Sequence, residues 1–156
     1  MTITPNDIKE RFIRYNEMYF EGALNMCNFK VYNTRHELGT YEPRTYRSRP
    51  IIKISRKPTV MNKKEWTEEM LKQTIVHEMV HHYVRDILKH TSIFSRHGFK
   101  FRKVCRRIEK RYGYKVEVGY FIKGYAMIKE KENLTVKDRI KLIYFAPLNY
   151  ILSWVL

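Results

Sequence analysis

The sequence predicts an α+β domain, a short and mainly antiparallel sheet packed on helices, one of which carries metal-ligand chemistry. Three observations lead there. Apolar residues recur at helical spacing near residues 5–20, 62–88 and 97–112, and short alternating runs cluster between the first two of these stretches. The middle helical stretch places histidines and a glutamate among residues otherwise suited to a core. Strands grouped together rather than alternating with helices are the mark of an α+β architecture. The chain has 156 residues, enough for one domain with a sizeable core and too few for two ordinary ones. The expected division is a domain over residues 1–125 and a C-terminal extension over 126–156, charged at first and then apolar.

Taken in order, residues 5–20 bring Ile8, Phe12, Tyr15 and Tyr19 to one helical face, with Thr4 or Asn6 available as cap and Gly22 as stop. Phe29 and Val31 alternate with Lys30 and Tyr32 in a half-buried strand, and residues 38–42 and 51–55 read as two more. Asn62 and Glu65 have capping-box spacing and Thr67 is a second candidate cap, so the long helix is expected to start near here and run to about Leu88. Residues 89–96 read as a loop, and a further helix is expected from about His97 to Tyr112, stopped by Gly113. Val116, Val118, Tyr120 and Ile122 alternate with polar neighbours, a fourth strand. Residues 142–156 carry no charged side chain but are too short and Pro-interrupted to span a membrane, so a packed segment is expected, with a membrane or partner contact as the alternative.

The chemistry lies in the long helix. His77, Glu78 and His81 spell H-E-x-x-H, the signature of zinc-peptidase helices. Histidines four residues apart project from one helical face, as two ligands of one tetrahedral zinc require, and Glu78 beside them is suited to general-base work rather than ligation. Leu71, Ile75, Val76, Met79, Val80, Val84, Ile87 and Leu88 make this a largely buried helix, where unpartnered His and Glu would be costly. A catalytic zinc needs a third protein ligand. His36 reads as a surface residue. His82 lies 100° round the helix from His81 and points away from the metal, which suits a surface position or an outer support of the site. His90 returns only if the helix ends early. His97 starts the next helix after a loop long enough to double back, and Gly98 beside it lets the backbone pass close. His97 is therefore the leading candidate, with Glu109 as the carboxylate alternative. The longer metzincin motif is excluded, because Val84 and Ile87 stand where it needs Gly and His.

Thirty-one Lys and Arg against 16 Asp and Glu give a formal charge of +15, which points to a polyanionic partner, nucleic acid first. Two stretches concentrate it. Arg44, Arg47 and Arg49 interleave with Tyr46 in a loop able to hold phosphates and stack on bases. The helix opened by His97 carries Lys100, Arg102, Lys103, Arg106, Arg107, Lys110 and Arg111 around its apolar stripe, a self-repelling array unless an anion sits against it. Cys27 and Cys105 are widely separated and form no C-x-x-C, so they read as reduced core thiols. The polar start of the chain has no apolar run of the kind a signal peptide carries, so a cytoplasmic location is expected, nucleoid-associated in a prokaryote.

H-E-M-V-H-H at 77–82 followed by S-R-H-G-F-K-F at 95–101 resembles the SprT-like family of zinc metalloproteases, to which Spartan belongs. Y-N-E-M-Y-F-E-G-A-L at 15–24 and L-G-T-Y at 38–41 are similar to its N-terminal half. The resemblance covers about residues 5–125. It implies a small zincin-like fold, zinc held by His77, His81 and His97, and hydrolysis of DNA-associated proteins, with single-stranded or damaged DNA as partner. The chain lacks the C-terminal cysteine zinc module of many members, which leaves Arg44, Arg47, Arg49, Lys103, Arg106, Arg107, Lys110 and Arg111 as the residues for DNA contact. The resulting expectation is a zinc endopeptidase with Glu78 as general base. The alternative is a nucleic-acid-binding protein with a structural zinc and no proteolysis.

Overall fold

The computed structural model describes residues 1–90 and 97–117. The loop at 91–96, the fourth strand beyond its first two residues and the extension at 126–156 lie outside the described residues.

Among the described residues the architecture is α+β: a three-stranded sheet with three α-helices. Helix α1 spans Pro5–Phe20, opened by a capping box in which Thr4 Oγ1 accepts from Asp7 N at 3.2 Å and Asp7 Oδ2 accepts from Thr4 N at 2.7 Å. Thr4, not Asn6, is the cap. The helix closes at Glu21 and Gly22, both left-handed, and the buried Asn16 carboxamide ties the exit down by pairing with Leu24 N and Leu24 O. Strands β1 (Asn28–Tyr32), β2 (Gly39–Glu42) and β3 (Ile51–Ser55) follow.

The strand order is β1-β3-β2, with β1 parallel and β2 antiparallel to β3. The sheet is therefore mixed where a mainly antiparallel one was expected. Hydrophobicity explains the order. Ile52 and Ile54 are fully buried, so β3 takes the centre, and the half-buried β1 and β2 are left to the edges. β2 also comes close to helix α2. A Cβ on Gly39 would lie 2.9 Å from Thr74 Cγ2, 3.1 Å from Ile54 Cδ1 and 3.2 Å from Lys53 O, so only glycine lets strand and helix meet here.

Helix α2 spans Glu68–His82. Its cap is Thr67, whose hydroxyl accepts from Met70 N at 3.2 Å, whereas Asn62 ends a short 3₁₀ turn, Thr59–Met61, in a left-handed conformation. The Asn62 start expected from the capping-box spacing is thus displaced to Thr67. The α-helix stops at His82 and a widened π turn, Tyr83–Ile87, carries the chain on to Leu88. Helix α3 spans Phe99–Tyr112, from Gly98 to a left-handed Gly113. His97 precedes α3 rather than forming its first residue.

Both faces of α2 are covered. Leu71, Ile75, Val76, Met79 and Val80 are completely buried, joined by Ile8, Phe12, Tyr15 and Phe20 from α1, Ile52 and Ile54 from β3, and Phe101, Val104 and Ile108 from α3. At about 1.5–3 kcal/mol per buried large apolar side chain, this burial dominates the stability of the fold and fixes the metal-site helix as its rigid axis. Among the described residues no helix is long and apolar enough to cross a membrane.

Candidate metal centre

One helix and one turn build the site. His77 and His81 stand one turn apart on α2, and His97, just before α3 begins, lies against both. His77 Nε2 lies 2.9 Å from His97 Nε2, and His81 Nε2 lies 3.2 Å from the same atom. The three ligand atoms fall within 4.8 Å of one another. Donors about 2.0–2.1 Å from a tetrahedral ion sit about 3.3 Å apart. The spacing of these nitrogens therefore fits a single zinc-sized ion, and the donor set, three imidazoles, is one that suits zinc.

The state of the rings fits as well. His77 Nδ1 lies 3.0 Å from the Glu117 carbonyl, and a carbonyl oxygen only accepts, so Nδ1 carries the proton and Nε2 presents its lone pair. Burial pushes the His77 imidazole down to about 4 against the smaller opposing effect of that carbonyl, which keeps the ring neutral near pH 7. Neutral imidazole is the form that ligates. A cation at the centre of the group would meet the lone pair of His77 Nε2.

Phe101 supplies the floor. Its buried ring packs on all three imidazoles, with centroids 4.5 Å from His81, 4.8 Å from His97 and 5.0 Å from His77. Arg102 Nε donates to His97 O at 3.1 Å and fixes the turn that delivers that ring. The sequence placed Phe101 in an apolar stripe. Its contact with all three rings is tertiary, between α3 and α2, which no local pattern encodes. Glu78 is buried on α2 directly after His77. Glu109 is exposed on α3 and stands outside the histidine group, as do His36 and His90.

His82 overturns its surface assignment. It is completely buried, with Phe12 and Tyr41 stacked near its ring at 6.2 Å and 5.3 Å. Its Nδ1 is 3.3 Å from Cys27 Sγ and its Nε2 is 3.1 Å from Asp86 Oδ2. Burial lowers its pKa and Asp86 opposes that shift. The signal was present: His82 follows Met79 by three residues and Ile75 by seven, on the apolar row of the helix. It does point away from the metal-site histidines, towards the sheet.

The basic residues divide. Arg44, Arg47 and Arg49 are exposed on the loop between β2 and β3, where Thr45 and Ser48 pair across a tight turn and Tyr46 is wholly exposed. Lys103, Arg106 and Lys110 are exposed on α3. Arg107, by contrast, donates to Tyr83 Oη at 2.9 Å and lies over the Tyr83 ring, while Arg111 is exposed like the other three but pairs with Glu21 at the surface. Part of the self-repulsion anticipated for α3 is thus relieved within the fold.

A family model described as the SprT-like family matches residues 8–120, more than half of the chain. No curated protein matches it.

Proposed function

Because the chain belongs to the SprT-like family, we propose that it is a zinc-dependent endopeptidase acting on proteins associated with DNA. The observation that carries the reading is the convergence of His77, His81 and His97 at zinc-ligand spacing on the helix that also bears Glu78. These three residues would hold the ion. When bound, zinc supplies a Lewis acid that acidifies water and polarises the scissile carbonyl. Glu78 then takes the proton of the attacking water and returns it to the leaving amine, with its carboxylate confined by burial to the helix that carries the ligands. β2 pairs with β3 on one side and packs against α2, so among the described residues its other edge is available for an extended peptide to add as a strand. The catalytic unit we assign is residues 1–125, with 126–156 as an extension.

The DNA partner is supported by the family, the +15 charge and the outward side chains of the 43–50 loop and α3. The test is cleavage of a basic DNA-binding protein by the zinc-loaded chain with and without single-stranded DNA, at two salt concentrations. Stimulation by DNA that falls as salt rises supports the reading. Cleavage indifferent to DNA removes the nucleic-acid partner, and zinc and DNA binding without any cleavage favours a binding protein with a structural zinc.

A further inference from the structure

We propose that Gln73 is a positioning residue for the metal ligand His77, acting through the backbone of residues 115–117. The inference rests on the metal-site reading above and adds a residue to which neither motif nor family match assigns a role. Gln73 lies one turn before His77 on the same face of α2 and is almost completely buried. Its carboxamide makes two bonds to one segment. Nε2 donates to Lys115 O at 2.9 Å, and Oε1 accepts from Glu117 N at 3.3 Å. The side chain thereby imitates a peptide unit of a neighbouring strand. Glu117 in turn offers its carbonyl to His77 Nδ1 at 3.0 Å, the contact that decides which nitrogen of that ring faces the metal.

Other contacts among the described residues hold side chains of this segment. Tyr114 stacks on Tyr19 at 5.1 Å and lies under Lys72 Nζ at 4.1 Å, and Val116 is buried in the core. These fix the side chains at positions 114 and 116, whereas the two bonds from Gln73 hold the peptide groups on either side of Val116 and so place the Cα of Glu117, from which its carbonyl extends to His77 Nδ1. Gln73 Nε2 also lies 3.3 Å from Glu69 Oε1, which keeps the carboxamide nitrogen turned towards Lys115 and the oxygen towards Glu117.

The experiment measures zinc affinity of the full chain by competition with a chromophoric chelator, alongside melting of the metal-free protein. Gln73→Met keeps length and volume and removes both bonds. It is expected to weaken zinc binding at least tenfold, the scale on which outer supports of a metal ligand act. Gln73→Glu can still accept from Glu117 N but cannot donate to Lys115 O, so it should fall between Gln73→Met and the native protein; it carries the test alone if Gln73→Met does not fold. Trp66→Phe, which loses the indole bond to Ser55 O at 2.9 Å at the start of α2, should destabilise the fold yet bind zinc as the native chain does. In nitrogen NMR of the metal-free native protein His77 should carry its proton on Nδ1, and in Gln73→Met that preference should be lost. Zinc affinity within twofold of native in both Gln73 variants overturns the inference alone, as does an equal loss in Trp66→Phe. A native chain that binds no zinc overturns the metal centre and the inference together.

Discussion

At the scale of single residues, the two neighbours His81 and His82 show how a helix separates two chemistries. Turned by 100°, one ring faces His77 and His97 while the other enters the core between Phe12, Tyr41 and Cys27. Their functions should separate likewise. His82→Ala leaves a cavity and strips Asp86 of its neighbour, so it should destabilise the fold by about 2–4 kcal/mol in urea unfolding while leaving zinc stoichiometry unchanged. Loss of zinc without loss of stability would contradict the assignment. The grouping of His77 and His81 was legible because it lies in a four-residue spacing, and that of His97 because a histidine able to reach them was sought. Gln73 and Phe101 were not, since each acts across a tertiary contact, one to residues 115–117 and the other to all three rings.

At the scale of elements, local signals served the helix bodies and failed at junctions. The apolar spacing of α1 and α3 and the alternation of β3 located them, yet two capping signals competed before α2, and Thr67 prevailed because Asn62 is used to end the preceding turn. Pairing partners were equally hidden, because which strand takes the centre depends on comparing burial among all three. For α3 the structure changes what charge removal should do. Neutralising Lys103, Arg106 and Lys110 together should lower the slope of log affinity for single-stranded DNA against log salt by about 0.7 for each phosphate left without its cation, and stability should not change. Arg107→Gln and Arg111→Gln should instead cost up to about 1 kcal/mol of stability each, through the Tyr83 and Glu21 contacts, and leave that slope nearly unchanged. The reverse pattern would place the DNA surface on another face.

At the scale of the whole molecule, α2 is the common support: α1, β2, β3 and α3 all pack on it, so the metal-site histidines are as rigid as the core itself. Cys27 and Cys105 report on that core. Both are buried, and burial pushes each thiol up to about 12, so at pH 8 roughly one in ten thousand is thiolate. Iodoacetamide should therefore label either cysteine only as denaturant unfolds the chain, with labelling following the unfolding transition; rapid labelling of the native protein would contradict the packing. The net charge alone does not tell which cations have partners within the chain, as Arg107 and Arg111 do.

The most direct test of the central claim compares the native chain with Glu78→Gln at matched zinc content, scoring cleavage of a basic DNA-binding protein in the presence of single-stranded DNA. The account predicts that both bind one zinc through His77, His81 and His97 and that only the native chain cleaves, because the amide of the variant cannot take the proton of the attacking water. Cleavage by Glu78→Gln at a rate near native would remove Glu78 from the mechanism and contradict the account.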